Sequence, residues 1–400
     1  MRILHINVIP DPGRYMGPVR KLMDQQHAAI AGGLDLQVRV LTDGPTGGWG
    51  SLGVQIKWFP GVSKRLQVAI ARHALIQRSL EMDGYDAIIL RHQGAMDCTA
   101  PAFLSRWGRR VITEHHSIES AEFRALGRLG WIKGMAEDAL VPAYLTRCMG
   151  SIGVTREIVK HHSILCQGRE GVVISNGIAT DRVAWQCPPQ FADRLEVAFC
   201  AAGFWPWQGL DRVEAGLAAY RGKIPLVVHV IGTLPDRRGE CLPVLGPGAT
   251  AIYHGHLNGA DLEAVMGRCH LGLGTLALHR KGMLEACPLK SRDYAARGLP
   301  FAFAHQDPDF RQEAGPWLHL PADDSPLEVG RLVDFAAGLV QDGWREASVR
   351  LREHAVRELD WQYKMLAMAR YARSCLSGRV LPARPALKAM PGAADTQESP

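Results

Sequence analysis

Several things are missing from this sequence, and each absence narrows the reading. No run of apolar residues reaches the ~18–20 needed to cross a bilayer, although apolar residues make up 47% of the 400. The opening Met1-Arg2-Ile3-Leu4-His5-Ile6-Asn7 lacks the basic region, apolar stretch and small-residue cleavage site of a secretory leader. A cytoplasmic protein is therefore expected. The nine cysteines are scattered, without Cys-x-x-Cys or zinc-type Cys/His spacing, and are expected to be reduced and mostly buried. The Gly-x-Gly-x-x-Gly dinucleotide fingerprint does not follow the first strand. No RRM, KH or helix-turn-helix signature appears, so nucleic acid is not expected as a partner.

What is present begins with charge. Residues 1–182 carry 22 Lys/Arg against 16 Asp/Glu, and the remainder 24 against 24. The whole net charge of +6 thus belongs to the first half, which suits an anionic partner or surface.

Short Val/Ile-rich runs alternate with longer helical stretches. Strands are predicted at 2–10, 37–42, 54–59, 86–91, 110–115, 151–155 and 171–174, with helices such as 19–31 and 64–81. The pattern then restarts, with strands at 196–202, 225–232, 251–256, 271–276, 300–304 and 318–321. Helices are predicted at 210–220, 260–268, 289–297, 326–342 and 344–358. Alternating β and α units imply parallel sheets covered by helices on both faces. The expected organisation is a first Rossmann-like domain (1–182) and a linker (183–195). A second Rossmann-like domain (196–358) follows, then a helix (359–377) and a disordered Pro/Ala-rich tail (378–400). Such domains bind ligands at the carboxyl ends of their strands, so a facing pair suits transfer between two ligands.

The most informative stretch is His279-Arg280-Lys281-Gly282-Met283-Leu284-Glu285-Ala286-Cys287-Pro288-Leu289-Lys290-Ser291-Arg292-Asp293-Tyr294, closing in Gly298-Leu299-Pro300. Pro288 suits the first turn of a helix, where a missing N–H costs nothing. The free N–H groups near Leu289 and Lys290 make an anion site, and Lys290 adds charge. Glu285 and Asp293 can accept hydrogen bonds from sugar and ribose hydroxyls.

Glu285 and Asp293 stand eight apart, and this stretch resembles the E-x7-E motif of retaining family-4 glycosyltransferases of the GT-B fold, in a bacterial polysaccharide-assembly branch. Asp293 replaces the second Glu. The resemblance implies that Glu285 contacts the donor sugar, that Asp293 contacts the ribose, and that the amides between them hold the diphosphate. It implies a retaining transfer of a sugar from a UDP- or GDP-linked donor to a saccharide or lipid-linked acceptor, with neither metal nor cofactor. Loop 10–20 is similar to the family's glycine loop, making Gly17 and Arg20 donor-side candidates. Gly232, His254 and Gly255 end strands that in relatives lie near the nucleotide. His115 and His116 occupy the place of a sugar- and acceptor-contacting residue, with Glu119 or Glu122 on the acceptor side. Asn176-Gly177 resembles a turn at the domain join; the resemblance further implies that the first domain (1–182) is the acceptor side and that helix 359–377 crosses back to it.

One loop departs from the family. Phe204 and Gln208 stand where relatives carry phosphate-binding cations, so Arg280 and Lys290 are expected to compensate, and Trp205 and Trp207 are candidates for stacking on a base. The basic first half and the branch resemblance suggest peripheral contact with an anionic membrane. Two other readings stay open: a sugar-nucleotide epimerase on the same fold, and a non-catalytic sugar-nucleotide-binding subunit.

Overall fold

The computed structural model describes residues 1–9, 16–44, 49, 52–56, 61, 63–94, 100–166, 168, 171–191, 193–234, 246–311 and 315–378. Residues 10–15 of the loop expected at 10–20, the end of the strand expected at 54–59, and the tail beyond 378 lie outside these residues; residues 16–20 of that loop are already helical.

The first half is a seven-stranded sheet of β1 (Ile3–Val8), β2 (Leu36–Thr42), β3 (Gly53–Gln55), β4 (Ala87–Arg91), β5 (Val111–His115), β6 (Gly150–Gly153) and β7 (Val172–Val173), ordered β3-β2-β1-β4-β5-β6-β7. Every pairing is parallel. Its helices are α1 (Met16–Ala31), α2 (Lys64–Glu81), α3 (Ala100–Trp107), α4 (Glu119–Arg124), α5 (Arg128–Leu145) and α6 (Arg156–Leu165). All six residues of β1 are buried, because helices cover both faces of a parallel sheet and leave no solvent side.

The second half repeats the plan. Strands β8 (Leu195–Gly203), β9 (Leu226–Thr233), β10 (Ala249–Gly255), β11 (Leu271–Leu273), β12 (Phe301–Phe303) and β13 (Trp317–His319) form a parallel sheet ordered β10-β9-β8-β11-β12-β13. Around it lie α7 (Leu210–Ala219), α8 (Gly259–Met266), α9 (Leu289–Arg297), α10 (Val329–Asp342) and α11 (Trp344–His354). The helix expected to run to 358 ends at His354 in a π-helical turn, Ala355–Leu359. Then α12 (Trp361–Leu376) returns to the first sheet, where Trp361, Met365, Met368 and Ala372 join Ile3, Val38 and Ile89 in one core. The chain therefore consists of two Rossmann-like α/β sheets, the GT-B arrangement the sequence suggests.

Strand order reverses direction of travel between β1 and β4 and again between β8 and β11. These are the switch points where open α/β sheets hold ligands, outside the carboxyl ends of the strands. In the second half that crevice is bounded by the loop after Gly203 and by the segment from β11 to α9.

Candidate active site between the two sheets

The second half's share starts at α9. Pro288 is its N-cap, with no side-chain cap, and Gly298 closes it at φ +77. The first N–H groups of the helix therefore remain free of capping side chains at its positive end. Lys290 extends from this turn, and its Nζ donates to Gln208 Oε1 at 2.7 Å and lies 4.8 Å from the centre of the Phe199 ring. Burial, with no carboxylate bonded to it among the described residues, lowers the Lys290 pKa to about 7. Next along the helix, the buried Ser291 Oγ has no hydrogen-bond partner. Gln208, read in the sequence as a lost cation, is thus the group that holds the cation supplied by α9. Phe204 has no such role, being buried edge-on against Phe199 with centroids 5.0 Å apart.

Glu285 lies just before α9. Its Oε2 accepts the Glu157 N–H at 3.0 Å, at the start of α6 in the other half. Glu157 answers by accepting the N–H of Glu285 at 2.7 Å and of Leu284 at 2.9 Å. Two glutamates thus clasp the halves together, each carboxylate on the other's backbone. Around them Ile118, Val154 and Ile158 pack on Leu278, Met283 and Cys287, and Asn176 Nδ2 donates to Cys287 O at 2.6 Å. Asp293, one turn into α9, accepts from Arg297 Nε at 2.7 Å, and Arg297 also grips Glu263. A cavity of about 430 Å³ adjoins this segment, lined in part by Met283, Leu284, His305, Asp307 and Phe310, a volume within the range of small-ligand sites.

Across from α9, the two histidines ending β5 separate. His115 is fully buried, with its Nδ1 3.3 Å from Glu119 Oε2, and burial drives its pKa well down. It supports the floor and has no open face. His116 is partly exposed, 2.9 Å from Glu114 Oε1 and 2.9 Å from Lys21 Nζ. Burial pushes the Glu114 carboxyl up, but Lys21, His5 and Arg91 outweigh it and hold the group ionised. Burial also lowers Lys21 to about 8. Gly17 and Arg20 lie exposed on the first turns of α1, and Arg20 is near enough to Glu263 of the other half for their charges to couple. Glu122 accepts from Lys281 Nζ at 2.9 Å, a further link between halves.

Other expected residues have different occupations. Arg280 is already engaged: it forks onto Asp211 at 2.8 and 2.7 Å and reaches Asp324 at 2.7 Å. These carboxylates raise its pKa and compete with any phosphate for the guanidinium. Gly232, at φ +141, leaves no room for a side chain, since a Cβ would lie 1.7 Å from Ala201 O, so strand crowding alone accounts for it. His254 Nε2 lies 2.9 Å from His229 Nδ1, whose Nε2 is 3.0 Å from Glu196 Oε2. Gly255, beside it, is left-handed at φ +67 and opens on free space. Trp205 and Trp207 stack on each other, centroids 5.9 Å apart, with Lys281 Nζ 4.7 Å from the Trp207 ring centre. Asp307-Pro308-Asp309 is an Asp-x-Asp sequence, but Arg292 binds both carboxylates and Lys364 approaches Asp309 at 3.3 Å.

The sequence reading missed Glu157, Lys21 and Ser291. Thr155 accepting the Ile158 N–H marks a helix start at which Glu157 is an ordinary first-turn acid. Nothing local says that its carboxylate serves residues 127 positions away.

No protein-family model and no curated protein matches the chain. Solved structures do. Sucrose-phosphate synthase from Thermosynechococcus elongatus aligns at TM-score 0.66 with 12% identity, over 94% of this chain and all of that one. WaaG, a glycosyltransferase involved in lipopolysaccharide biosynthesis, aligns at 0.62 with 15% identity, over 91% of this chain and 98% of that one. HepE from Anabaena, solved with UDP, aligns at 0.61 with 14% identity, over 94% of this chain and 100% of that one. At these identities the likeness is one of fold.

Proposed function

We propose that this chain is a retaining glycosyltransferase that moves a sugar from a nucleoside-diphosphate donor to a saccharide or lipid-linked saccharide, in the assembly of bacterial surface polysaccharide. One observation carries the reading: at the switch point of the second sheet, an uncapped helix start is joined by an ammonium held, among the described residues, by an amide and an aromatic face and by no carboxylate. A buried cation without its own carboxylate, beside free N–H groups, suits a diphosphate. The neighbouring HepE was solved with UDP, which favours a uridine donor over GDP.

In this reading the amides of Leu289 and Lys290, with Lys290 Nζ, hold the diphosphate, and Asp293 takes the ribose. Glu285 takes a sugar hydroxyl, which replaces the Glu157 N–H on its carboxylate. His116, oriented by Glu114 and backed by the buried His115, faces the sugar and acceptor, while Gly17 and Arg20 approach the phosphates from α1. His254 and Gly255 border the base. The accumulating negative charge of the departing diphosphate is stabilised by dipoles and cations already in place. The transfer itself calls for no metal.

The test is a screen of UDP- and GDP-sugars for binding, hydrolysis and transfer to lipid-linked saccharides. Glu285→Ala is expected to lower transfer by at least about 100-fold, as loss of a transition-state contact does, with an unchanged circular dichroism spectrum. Undiminished transfer refutes the assignment. Donor binding with no product from any acceptor favours the binding-subunit reading.

Membrane contact belongs to the same proposal. Among the described residues no helix is long and apolar enough to cross a membrane. However, Leu129, Trp131, Ile132 and Met135 of α5, with nearby Leu126, are exposed, and Arg128 and Lys133 accompany them. Apolar anchors beside cations suit the surface of an anionic bilayer.

A further inference from the structure

Beneath His116 lies a buried set of imidazoles and carboxylates, none of which touches a substrate in the proposed transfer. His92 follows β4, His115 ends β5, Glu119 opens α4, Glu137 lies in α5 and His162 in α6. Five elements thus deliver one cluster, His115 and Glu119 from neighbouring positions four apart and the others from well separated parts of the chain, and each residue is less than a tenth exposed. The His92 and His115 rings have centroids 4.8 Å apart, and those of His115 and His162 are 4.0 Å apart. One ligand atom from each of His92, His115 and Glu119 lies within 4.8 Å of the other two.

The hydrogen bonds here run short of donors. His115 Nδ1–H serves Glu119 Oε2 at 3.3 Å, which leaves the lone pair of Nε2 facing inward. That atom and Glu119 Oε1 are both buried, and neither has a hydrogen-bond partner. Arg91, the nearby guanidinium, is shared among Glu114, Glu119 and Glu122 and does not neutralise Glu119 alone. Adjacent buried acceptors without donors are what a bound cation satisfies, and imidazole with carboxylate selects zinc-class ions over magnesium or calcium.

We propose that His92, His115 and Glu119 bind one divalent ion of the zinc class, with His162, whose Nε2 is 3.9 Å from Glu119 Oε2, as the fourth donor. His92 Nε2–H donates to Glu137 Oε1 at 2.7 Å, so Nδ1 is its free ligand atom. Glu137 is then the orienting carboxylate behind a metal-bound histidine. The ligand atoms must draw together for bonds of about 2.0–2.2 Å. The ion's work is structural: it ties α4 and α6 to β4 and β5 under residues 116–122, the face that meets Lys281 and Met283. It does not depend on which reaction the site above performs.

The experiment uses the full chain, loaded with zinc or cobalt and freed of excess ion. One zinc per chain by elemental mass spectrometry is expected, with a rise in thermal midpoint reversed by chelator. The cobalt form is expected to show four- or five-coordinate absorption without a thiolate charge-transfer band. Glu137→Gln is expected to weaken zinc affinity roughly 10–100-fold, and Glu119→Gln to abolish retention. Wild-type protein that neither retains zinc nor shifts its midpoint overturns the proposal, whether or not the variants fold. So does a thiolate band, which would place the ion at the other group of candidate ligands, Cys287, Asp307 and Asp309.

Discussion

Lys290 is the residue whose surroundings most constrain what it can do. Its ordinary pKa of 10.5 falls to about 7 because burial disfavours the charge, and Gln208, Phe199 and the nearby Cys200 thiol offset that too little. The sign follows from linkage. Below pH 7 folded and unfolded chains both hold the proton, and the folded state bears the full cost of burying it. Between about 7 and 10.5 the folded state releases the proton while the unfolded chain keeps it, so this group's contribution to stability improves as pH rises. A diphosphate reverses the preference by favouring the protonated form. Donor affinity is therefore expected to be full below pH 7 and to weaken by up to about tenfold per pH unit above it. Calorimetric titration with an intact sugar nucleotide between pH 6 and 9 measures this. Lys290→Met is expected to remove the slope and lose about 1.5–3 kcal/mol, the contribution of a charge-assisted hydrogen bond. Lys290→Arg, charged throughout, is expected to lose the slope alone. A pH-independent wild-type affinity contradicts this account of the site.

At the scale of elements, α9 was legible because its signals are local: Pro at the start, Gly at the end, a charged face between. The predicted 289–297 matches the helix to the residue. Helix α5 was not legible, because its pattern is inverted. Gly130 and Gly134 face inward, where a Cβ would lie 2.0 Å from Phe123 O or 2.7 Å from Ser120 O, while Trp131 and Ile132 face out. A search for an apolar stripe finds no stripe there. The candidate site divides the same way. Glu285, Lys290 and Asp293 could be named from one stretch of chain, but Glu157 and the partners of His115 come from elements that only the fold brings together. Gly298 tests how firmly the α9 end is set. It sits at φ +77, and a Cβ there would lie 2.4 Å from Ser348 Oγ and 2.6 Å from Trp185 Nε1, two atoms already bonded to each other at 3.1 Å. Left-handed strain of about 1–2 kcal/mol adds to the clash. Gly298→Ala is expected to cost at least about 2 kcal/mol, a fall of roughly 4–8 °C in thermal midpoint by calorimetry. An unchanged midpoint would show that the helix end relaxes freely.

At the scale of the whole molecule, the two halves differ in charge. The second half carries equal numbers of acidic and basic residues, whereas the first carries the entire excess of +6 together with the exposed apolar residues of α5. Exposed apolar side chains in a cluster cost a protein solubility unless something covers them. The inward-facing glycines show why Trp131 and Ile132 point away from the core: α4 and α5 approach too closely for side chains between them. If the cover is an anionic bilayer, binding draws on two separable contributions. Burying Trp131, Ile132 and Leu129 supplies an apolar contribution indifferent to salt, and Arg128 and Lys133 each supply about 1 kcal/mol that salt screens. Trp131→Ser with Ile132→Ser is therefore expected to reduce co-sedimentation with phosphatidylserine vesicles at every salt concentration. Arg128→Gln with Lys133→Gln is expected to reduce it on the order of 30-fold at low salt, with little further loss at high salt. Trp131, Ile132 and Arg128 are exposed and Lys133 is half-buried, so neither pair is expected to move the thermal midpoint by more than the equivalent of about 1 kcal/mol. Transfer to a water-soluble acceptor should persist in both variants, because the site between the sheets uses none of these residues. Equal vesicle binding by wild type and both variants would assign the α5 surface to some other cover.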